Sequence, residues 1–307
     1  MAKRSRKKNL KKPRNRQQKK QRRRKIYPGR LLILIGGCFA VLILTAILLR
    51  SVFKALFSGS QEAPAPTVQP EPTPIPDPIY PHDYDWKYLT RENGIFHYED
   101  DKYITRTGID VSYSQGTIDW DRVKADGIEF AIIRAGYRGF ETGELHEDKY
   151  FQYNMENAAR VGIEIGVYFF SQAISPEEAE EEAQFVLDLI SPYPVTSIAF
   201  DLEEADEEGR IASNSQDINT LGAIAFCNKV KEAGYLPLVY GSASWMTHDI
   251  RMADLQDITE FWMAGYGWDE PEFPYVFRMW QYSCKGHVDG IDTVVDLNLL
   301  FIEKDQL

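Results

Sequence analysis

Eight short apolar runs recur along the last two thirds of the 307-residue chain, and segments with helical spacing separate the early ones. A chain with this alternation folds into a mainly parallel sheet covered by helices. The predicted strands are Thr107–Val111, Phe130–Ala135, Ile165–Phe170, Ser197–Phe200, Leu236–Tyr240, Phe261–Ala264, Arg278–Tyr282 and Thr293–Val295. The predicted helices are Trp120–Asp126, His146–Val161, Pro176–Ile190 and Ile218–Ala233.

Helical segments separate only the first five strands, so the later strands are expected to have shorter connections. We therefore predict a modified TIM-type α/β barrel of eight parallel strands over residues 105–307. A short hairpin-like extension with a turn at Asn93-Gly94 is predicted over residues 83–104. A doubly wound open sheet is the alternative, but no glycine-rich phosphate loop follows an early strand, which disfavours nucleotide binding.

Charge is divided unevenly along the chain. Residues 1–54 hold 18 Lys and Arg and no acid, whereas the remainder holds 17 basic and 46 acidic residues. Residues 31–49 are uncharged, with the sequence LLILIGGCFAVLILTAILL, and as a helix they would be about 28 Å long. We predict a single uncleaved transmembrane anchor, because the run is longer than a typical signal peptide and lacks a clear cleavage site. A cleaved signal peptide is the alternative.

The flanks of this apolar run predict its orientation. The basic tail, residues 1–30, should stay in the cytoplasm and contact anionic membrane lipid, which places the rest of the chain outside the cell membrane. Such a tail also suits nucleic acid, but beside an anchor no nucleic-acid partner is expected. Residues 50–82 are rich in proline and predict an extended extracytoplasmic stalk.

Polar and aromatic side chains stand at the predicted carboxyl ends of the strands, which converge on one face of a barrel. Four acids occupy such positions, namely Asp110, Asp201, Glu203 and Asp296. The side chains predicted to surround them are Tyr137, Tyr168, Tyr240, Trp262, Trp280, Gln281 and Tyr282. Acids ringed by aromatic residues predict a carbohydrate cleft, because aromatic faces stack on sugar rings while carboxylates handle protons and oxocarbenium charge.

The run VTSIAFDLEE, residues 195–204, carries two of these acids. Asp201 and Glu203 are two residues apart, so an extended strand would project both to one side, with Leu202 and Glu204 facing away. Alone, the run also fits a strand followed by a solvated acidic loop. The five His and three Cys of the chain show no metal-ligand spacing, and we expect neither a metal nor a cofactor.

Six short motifs follow one another between Thr105 and Lys304. They are GIDVSYSQGTIDW from Gly108, IIRAGYR from Ile132, GVYFFSQA from Gly166, AFDLEE from Ala199, MWQYS from Met279 and GIDTVVDLN from Gly290. Their order and spacing resemble the glycoside hydrolase family 25 lysozymes. The resemblance implies hydrolysis of the β-1,4 bond from N-acetylmuramic acid to N-acetylglucosamine in the glycan strands of peptidoglycan. It also implies that Glu203 is the catalytic acid, that Asp201 is its partner, and that Asp110 and Asp296 complete the cluster.

The resemblance further implies net retention, with either Asp201 or the substrate's own acetamido group as the nucleophile. The spacing of Asp201 and Glu203 on one strand resembles that of substrate-assisted glycosidases, which favours assistance by the acetamido group. Two other functions stay open, namely a membrane-tethered module that binds cell wall without turnover, and an enzyme that cleaves a different glycan or an amide. The intact acids disfavour the first, and the lack of metal-ligand spacing disfavours metal-dependent forms of the second.

Overall fold

The computed structural model describes residues 79–203 and 209–306. The predicted basic tail, the predicted anchor and most of the predicted stalk lie outside these residues, as does most of the acidic loop after Glu203. Within the described part of the chain, no helix is both long enough and apolar enough to cross a bilayer.

A two-stranded hairpin precedes a barrel of strands and helices. The strands are β1 (Leu89–Glu92), β2 (Ile95–Tyr98), β3 (Tyr103–Val111), β4 (Phe130–Arg138), β5 (Leu145–Glu147), β6 (Glu164–Phe170), β7 (Val195–Asp201), β8 (Leu236–Ser242), β9 (Glu260–Ala264), β10 (Met279–Gly286) and β11 (Val295–Glu303). The α-helices are α1 (Trp120–Ala125), α2 (Phe151–Arg160), α3 (Pro176–Ile190), α4 (Gln216–Glu232), α5 (Ala243–His248) and α6 (Met252–Leu255). Single 3₁₀ turns are Trp86–Tyr88, Tyr113–Gln115, Arg210–Ser213 and Lys304–Gln306.

Eight strands close the barrel in the order β3-β11-β10-β9-β8-β7-β6-β4, with β4 returning to pair with β3. The predicted eight-strand α/β barrel is therefore confirmed. The prediction that it is wholly parallel is wrong, because β11 runs antiparallel to both of its neighbours, β10 and β3. Only residues 287–294 separate β10 from β11, which is shorter than the dozen or so residues of a parallel crossover.

Two other predictions needed correction. The last strand covers Val295–Glu303, whereas the prediction placed it at Thr293–Val295. The helix predicted over His146–Val161 begins only at Phe151, and Leu145–Glu147 instead pairs with the end of β4. The side chain of Asp148 explains this break, because its Oδ1 accepts a hydrogen bond from the backbone N–H of Tyr150 and forms a turn.

Local sequence accounts for several helix ends. Ser175 caps α3 by accepting a hydrogen bond from the backbone N–H of Glu178, and Pro176 occupies the first turn. Gly162 and Gly234, which follow α2 and α4, have φ angles of 70° and 90°, which favour glycine. Helices α3 and α4 then pack their apolar faces on the outside of the sheet, while aliphatic and aromatic side chains fill the barrel.

The hairpin covers part of the outer surface of the barrel. Asn93 and Gly94 form its turn with φ angles of 52° and 89°, and Phe96 of β2 packs against Trp280. The chain enters this domain beside the amino end of β10, where Pro81 forms a β-bridge with Tyr275. It therefore enters at the end of the barrel opposite to the carboxyl ends of the parallel strands.

Candidate active site

One pocket of about 160 Å³ opens at the carboxyl ends of the parallel strands. It brings together all four predicted acids and four of the other predicted residues. The lining consists of Asp110, Tyr168, Asp201, Glu203, Tyr240, Trp262, Tyr266, Gln281 and Asp296. None of these nine side chains is basic, so no cation in the described lining balances the four carboxyls.

Asp110 and Asp296 reach this pocket from neighbouring strands of opposite direction. Asp110 lies at the carboxyl end of β3, and Asp296 is its register partner at the amino end of β11. The prediction that Asp296 lies at the carboxyl end of a parallel strand is wrong. The antiparallel direction of β11 nonetheless turns its amino end toward the same rim.

Asp201 and Glu203 reach the pocket from the end of β7. Asp201 is the last residue of the strand and is 4% exposed, whereas Glu203 follows in the loop and is exposed at the pocket mouth. Leu202 between them is buried in the outer core, as the alternation of side chains requires. The pair therefore combines one buried carboxyl with one that is accessible to a ligand.

Asp110 is the centre of a hydrogen-bond network. Its Oδ2 accepts hydrogen bonds from Gln281 Nε2 at 2.7 Å and from Asn298 Nδ2 at 2.8 Å. Tyr240 Oη donates to Gln281 Oε1 at 2.8 Å, and Trp262 Nε1 donates to Asn298 Oδ1 at 2.8 Å. These bonds fix one Asp110 oxygen with neutral donors only.

Burial and mutual repulsion raise the pKa of Asp110 and Asp296. Burial raises the pKa of Asp110 to about 8, the charge of Asp296 adds to the rise, and the amides of Asn298 and Gln281 oppose it. Burial raises the pKa of Asp296 to about 6. This side of the pocket therefore retains protons at pH values where an ordinary aspartate is ionised.

The pKa values of the other two acids are raised as well. Burial, and then the charges of Glu203 and Asp110, hold the pKa of Asp201 well above its usual range, against the opposing charge of Arg134. Glu203 is exposed at the pocket mouth, yet desolvation by the surrounding protein and the charge of Asp296 still raise its pKa. Both carboxyls therefore keep their protons at higher pH than ordinary acids do, as proton transfer near neutral pH requires.

Three of the predicted lining residues lie elsewhere. Trp280 and Tyr282 face the outer core beneath the hairpin, so the prediction that they line the cleft is wrong. Side chains alternate along β10, and Gln281 between them is the residue that faces the pocket. Tyr137 lines a separate groove beyond β6. Trp262 does line the pocket, but it is 2% exposed and its ring packs against Tyr240 at a centroid distance of 4.5 Å.

Two further residues of this site were not predicted from the sequence. Tyr266 follows β9 and its hydroxyl donates to Gln281 Oε1, while Asn298 lies two residues after Asp296 on the same face of β11. The same-face rule that linked Asp201 with Glu203 would have found Asn298, given the correct extent of the last strand.

Two grooves lie on either side of the Asp201–Glu203 pair. On the β8 and β9 side, a groove of about 500 Å³ includes Glu203, Tyr240, Tyr266 and Trp268. On the β4 and β6 side, a groove of about 380 Å³ includes Arg134 and Phe170. Phe170 is the register partner of Asp201, which places this second groove directly beside the pocket. The rim thus offers an extended binding surface with the acids at its centre.

A second group of carboxyls forms ion pairs with arginines, and in it Glu182 is fully buried and Glu178 partly buried. Arg138 Nε donates to Glu182 Oε1 at 2.7 Å, and Ser171 Oγ donates to Glu182 Oε2 at 2.6 Å. Arg210, in the segment that follows β7, pairs with Glu178 at 2.7 Å. We call Arg138, Ser171, Glu178, Glu182 and Arg210 the arginine network. Because the backbone N–H of Ser171 also donates to the carbonyl of Asp201 at 2.7 Å, this network braces the catalytic strand.

Metal binding has no support from the described residues. In residues 79–203 and 209–306, no three His, Cys, Asp or Glu side chains are arranged to hold a metal ion. Cys227 is buried and Cys284 is exposed, and both are free thiols.

The chain is similar in sequence to known proteins. The model for the glycosyl hydrolases family 25 matches residues 109–291. Lysozyme M1 of Streptomyces globisporus is 28% identical over 211 residues, which cover 62% of this chain and 66% of that protein. The chain therefore spans just under two thirds of that relative.

Solved structures show the same fold. The autolysin LytC from Streptococcus pneumoniae is 25% identical with a TM-score of 0.57, and the match covers 70% of this chain and 52% of LytC. The bacterial lysozyme from Streptomyces coelicolor is 26% identical with a TM-score of 0.52, and the match covers 63% of this chain and 90% of that one. The family model covers more than half of this chain and includes three of the four pocket acids. The chain belongs to glycosyl hydrolase family 25.

Proposed function

We propose that this chain is a peptidoglycan muramidase, which hydrolyses the β-1,4 bond from N-acetylmuramic acid to N-acetylglucosamine. The observation that carries the proposal is the gathering of Asp110, Asp201, Glu203 and Asp296 in one open pocket without a basic partner in its lining. Such a cluster is unfavourable for stability, and carboxyls with raised pKa values are what proton transfer to a glycosidic oxygen needs. Membership in family 25 and lysozymes among the relatives support this reaction.

Glu203 is the general acid in this mechanism. It is the member of the pair that is exposed at the pocket mouth, and its raised pKa keeps it protonated at higher pH than an ordinary glutamate. It protonates the oxygen of the leaving N-acetylglucosamine, which lies over the β8 and β9 groove that Glu203 also lines. It then acts as the base that removes a proton from the incoming water.

Asp201 holds the substrate's acetamido group in this mechanism. Its Oδ1 is buried and accepts no hydrogen bond from the residues that the structure describes, which suits an N–H donor from the substrate. In the free protein, burial of Asp201 favours its protonated form. An N–H that the substrate donates to Asp201 favours the ionised form, so the proton moves from Asp201 toward Glu203. The acetamido oxygen then attacks the anomeric carbon, and the configuration is retained.

This assignment of the nucleophile has a direct test. Slow substrates that carry a fluorine at C2 accumulate a glycosyl enzyme when a carboxylate is the nucleophile. We expect mass spectrometry of the intact protein to show no adduct on Asp201 after such treatment. A glycosyl ester on Asp201 would contradict substrate assistance and leave the muramidase proposal intact.

The other pocket residues position the sugar beside this pair. Asp110 keeps one oxygen fixed by Gln281 and Asn298, so its second oxygen is free to accept a hydrogen bond from a sugar hydroxyl. Asp296 raises the pKa of Glu203 by its charge. Tyr168 and Tyr266 offer aromatic surface at the two sides of the pocket.

We extend the proposal to the location of the enzyme. Residues 31–49 anchor it in the cell membrane with the basic tail in the cytoplasm, and residues 50–82 form an extracytoplasmic stalk. Entry of the chain at the end of the barrel opposite to the pocket supports this arrangement, since it leaves the cleft clear of the attachment point. We expect the protein to remain in membranes after carbonate washing and to be released by detergent. Recovery in the carbonate supernatant would contradict the anchor.

Product analysis tests the proposed reaction. The full chain in detergent is incubated with purified peptidoglycan, and the soluble fragments are reduced with borohydride and identified by mass spectrometry. A muramidase yields fragments that end in reduced N-acetylmuramic acid. Reduced N-acetylglucosamine ends would identify a glucosaminidase, and binding without any new reducing end would identify a wall-binding module.

A further inference from the structure

The groove on the β4 and β6 side of the pocket contains a cation that no acid neutralises. Its lining consists of Tyr113, Arg134, Tyr137, Glu147, Asp148, Lys149 and Phe170, around a volume of about 380 Å³. Arg134 is engaged, because its Nε donates to Asp148 Oδ2 at 2.8 Å. Lys149 is exposed, and no carboxylate of the described residues lies within ion-pair distance of its Nζ.

Aromatic rings hold both cations at the groove surface. Arg134 lies 4.8 Å above the ring of Tyr113 and 5.4 Å above that of Tyr137. Lys149 Nζ lies 5.1 Å from the Tyr113 ring and 5.3 Å from the Tyr150 ring. Contact with these rings restrains the Lys149 ammonium, so less conformational entropy is lost when it pairs with an anion.

The position of the groove identifies what reaches it. In the proposed reaction, Glu203 protonates the leaving sugar on the β8 and β9 side, so the N-acetylmuramic acid occupies the pocket over Asp201. Phe170 pairs with Asp201 in register and lines the groove, and Arg134 lowers the pKa of Asp201 by its charge. The groove is therefore the surface beside the N-acetylmuramic acid on the side away from the leaving sugar. In peptidoglycan, the lactyl group of this sugar carries a peptide with free carboxylates.

We propose that this groove is a subsite for the acidic stem peptide of N-acetylmuramic acid, with Lys149 Nζ pairing with one of its carboxylates. The inference rests on the proposed muramidase function and adds a specificity to it. Tyr113, 47% exposed, supplies the apolar surface for the peptide backbone. Glu147 on the same lining opposes the anion, so its removal should strengthen binding.

Two matched substrates test the subsite. One is glycan strands that carry stem peptides, and the other is the same strands freed of peptide by an amidase. The wild-type chain should have the higher kcat/KM on the peptide-bearing strands. Lys149→Met should lower kcat/KM on these strands by about tenfold through KM and leave the bare strands unchanged. Lys149→Arg should retain most of the preference, and Glu147→Gln should lower KM on the peptide-bearing strands only.

Lys231→Met is the matched control, because Lys231 lies in the last turn of α4 at the far end of the barrel and contacts the Asp257 carbonyl. This variant should have the kcat/KM of the wild type on both substrates. Equal rates of Lys149→Met and wild type on peptide-bearing strands, or equal losses on both substrates, would overturn the subsite. A wild-type chain that releases N-acetylmuramic acid ends equally well from both substrates would also overturn it, with the muramidase function intact. Failure to release such ends from either substrate would instead overturn the proposed function and the subsite together.

Discussion

Buried carboxyls occupy two neighbouring regions at the carboxyl ends of the strands, and their partners differ. In the arginine network, burial raises the pKa of Glu182 to about 7, and the hydrogen bonds from Ser171 and Arg138 and the charge of Arg138 oppose this rise. In the pocket, Asp110 faces Asp296 and Glu203, whose charges add to the effect of burial on its pKa. Carboxyl groups therefore stabilise the fold in the arginine network and are suited to proton transfer in the pocket.

The difference explains why the two regions are adjacent. Like charges repel one another, so the pocket carboxyls must be held in position by interactions of the surrounding residues. Ser171 links the two regions, since its hydroxyl donates to Glu182 and its backbone N–H donates to the carbonyl of Asp201. Arg210, in the segment after the acidic loop, forms an ion pair with Glu178 of α3. The paired charges therefore stabilise the position of the unpaired ones.

The largest expected effect comes from the pocket. Asp201→Asn should lower kcat by about 10³-fold or more, because it removes the partner of the general acid. Its free energy of unfolding at neutral pH should stay the same or rise, since a repelling group is lost. Reducing-end assays and urea unfolding measure the two quantities. A variant that loses stability and activity in parallel would show that Asp201 is a structural residue.

The next largest expected effect is a loss of stability when the arginine network is disrupted. Arg138→Met should lower the free energy of unfolding by about 3 to 5 kcal/mol, because it leaves Glu182 buried without its cation. Arg160→Met is the control, since the Arg160–Asp121 pair is exposed and its loss should cost less than about 1 kcal/mol. Equal losses in the two variants would contradict the structural role of the network.

The pH dependence of activity sharpens the account of the pocket. Catalysis requires protonated Glu203, so kcat/KM should fall as the pH rises through its raised pKa. The charge of Asp296 contributes to this rise, and Asp296→Asn should therefore move the alkaline limb of the profile to lower pH. An unchanged limb in this variant would show that another group controls it.

The smallest expected effect is a pH-dependent gain in stability. The pKa of Asp296 is raised from 3.8 to about 6 in the folded chain, so this carboxyl binds its proton more tightly when folded. It destabilises the fold increasingly from about pH 4 to 6, and fully above that range. Asp296→Asn should gain about 1 kcal/mol at pH 8 and nothing near pH 3, after allowance for partial exposure. A gain of equal size at both values would exclude ionisation as the cause.

Much of the fold followed from local patterns in the sequence. Apolar runs located seven of the eight barrel strands, and the strand-end rule located three of the four pocket acids. The fourth, Asp296, lines the pocket from the amino end of an antiparallel strand. The direction of β11 was not predicted, because antiparallel pairing depends on contacts with β3 and β10 that are distant in sequence. The aromatic residues were harder still. Trp280 and Tyr282 lie on the outer face of β10 and Gln281 lies on the pocket face. The local sequence does not show which of the two faces lines the pocket.

The central claim is that Glu203 is the catalytic acid and does not contribute to the stability of the fold. Glu203→Gln keeps the size of an exposed side chain and removes only its ability to give and accept a proton. The rate at which the purified variant releases reducing ends from peptidoglycan, measured beside its melting temperature, tests the claim directly. We predict a loss of about 10³-fold or more with an unchanged or higher melting temperature. A variant that keeps more than about a tenth of the wild-type rate would contradict it.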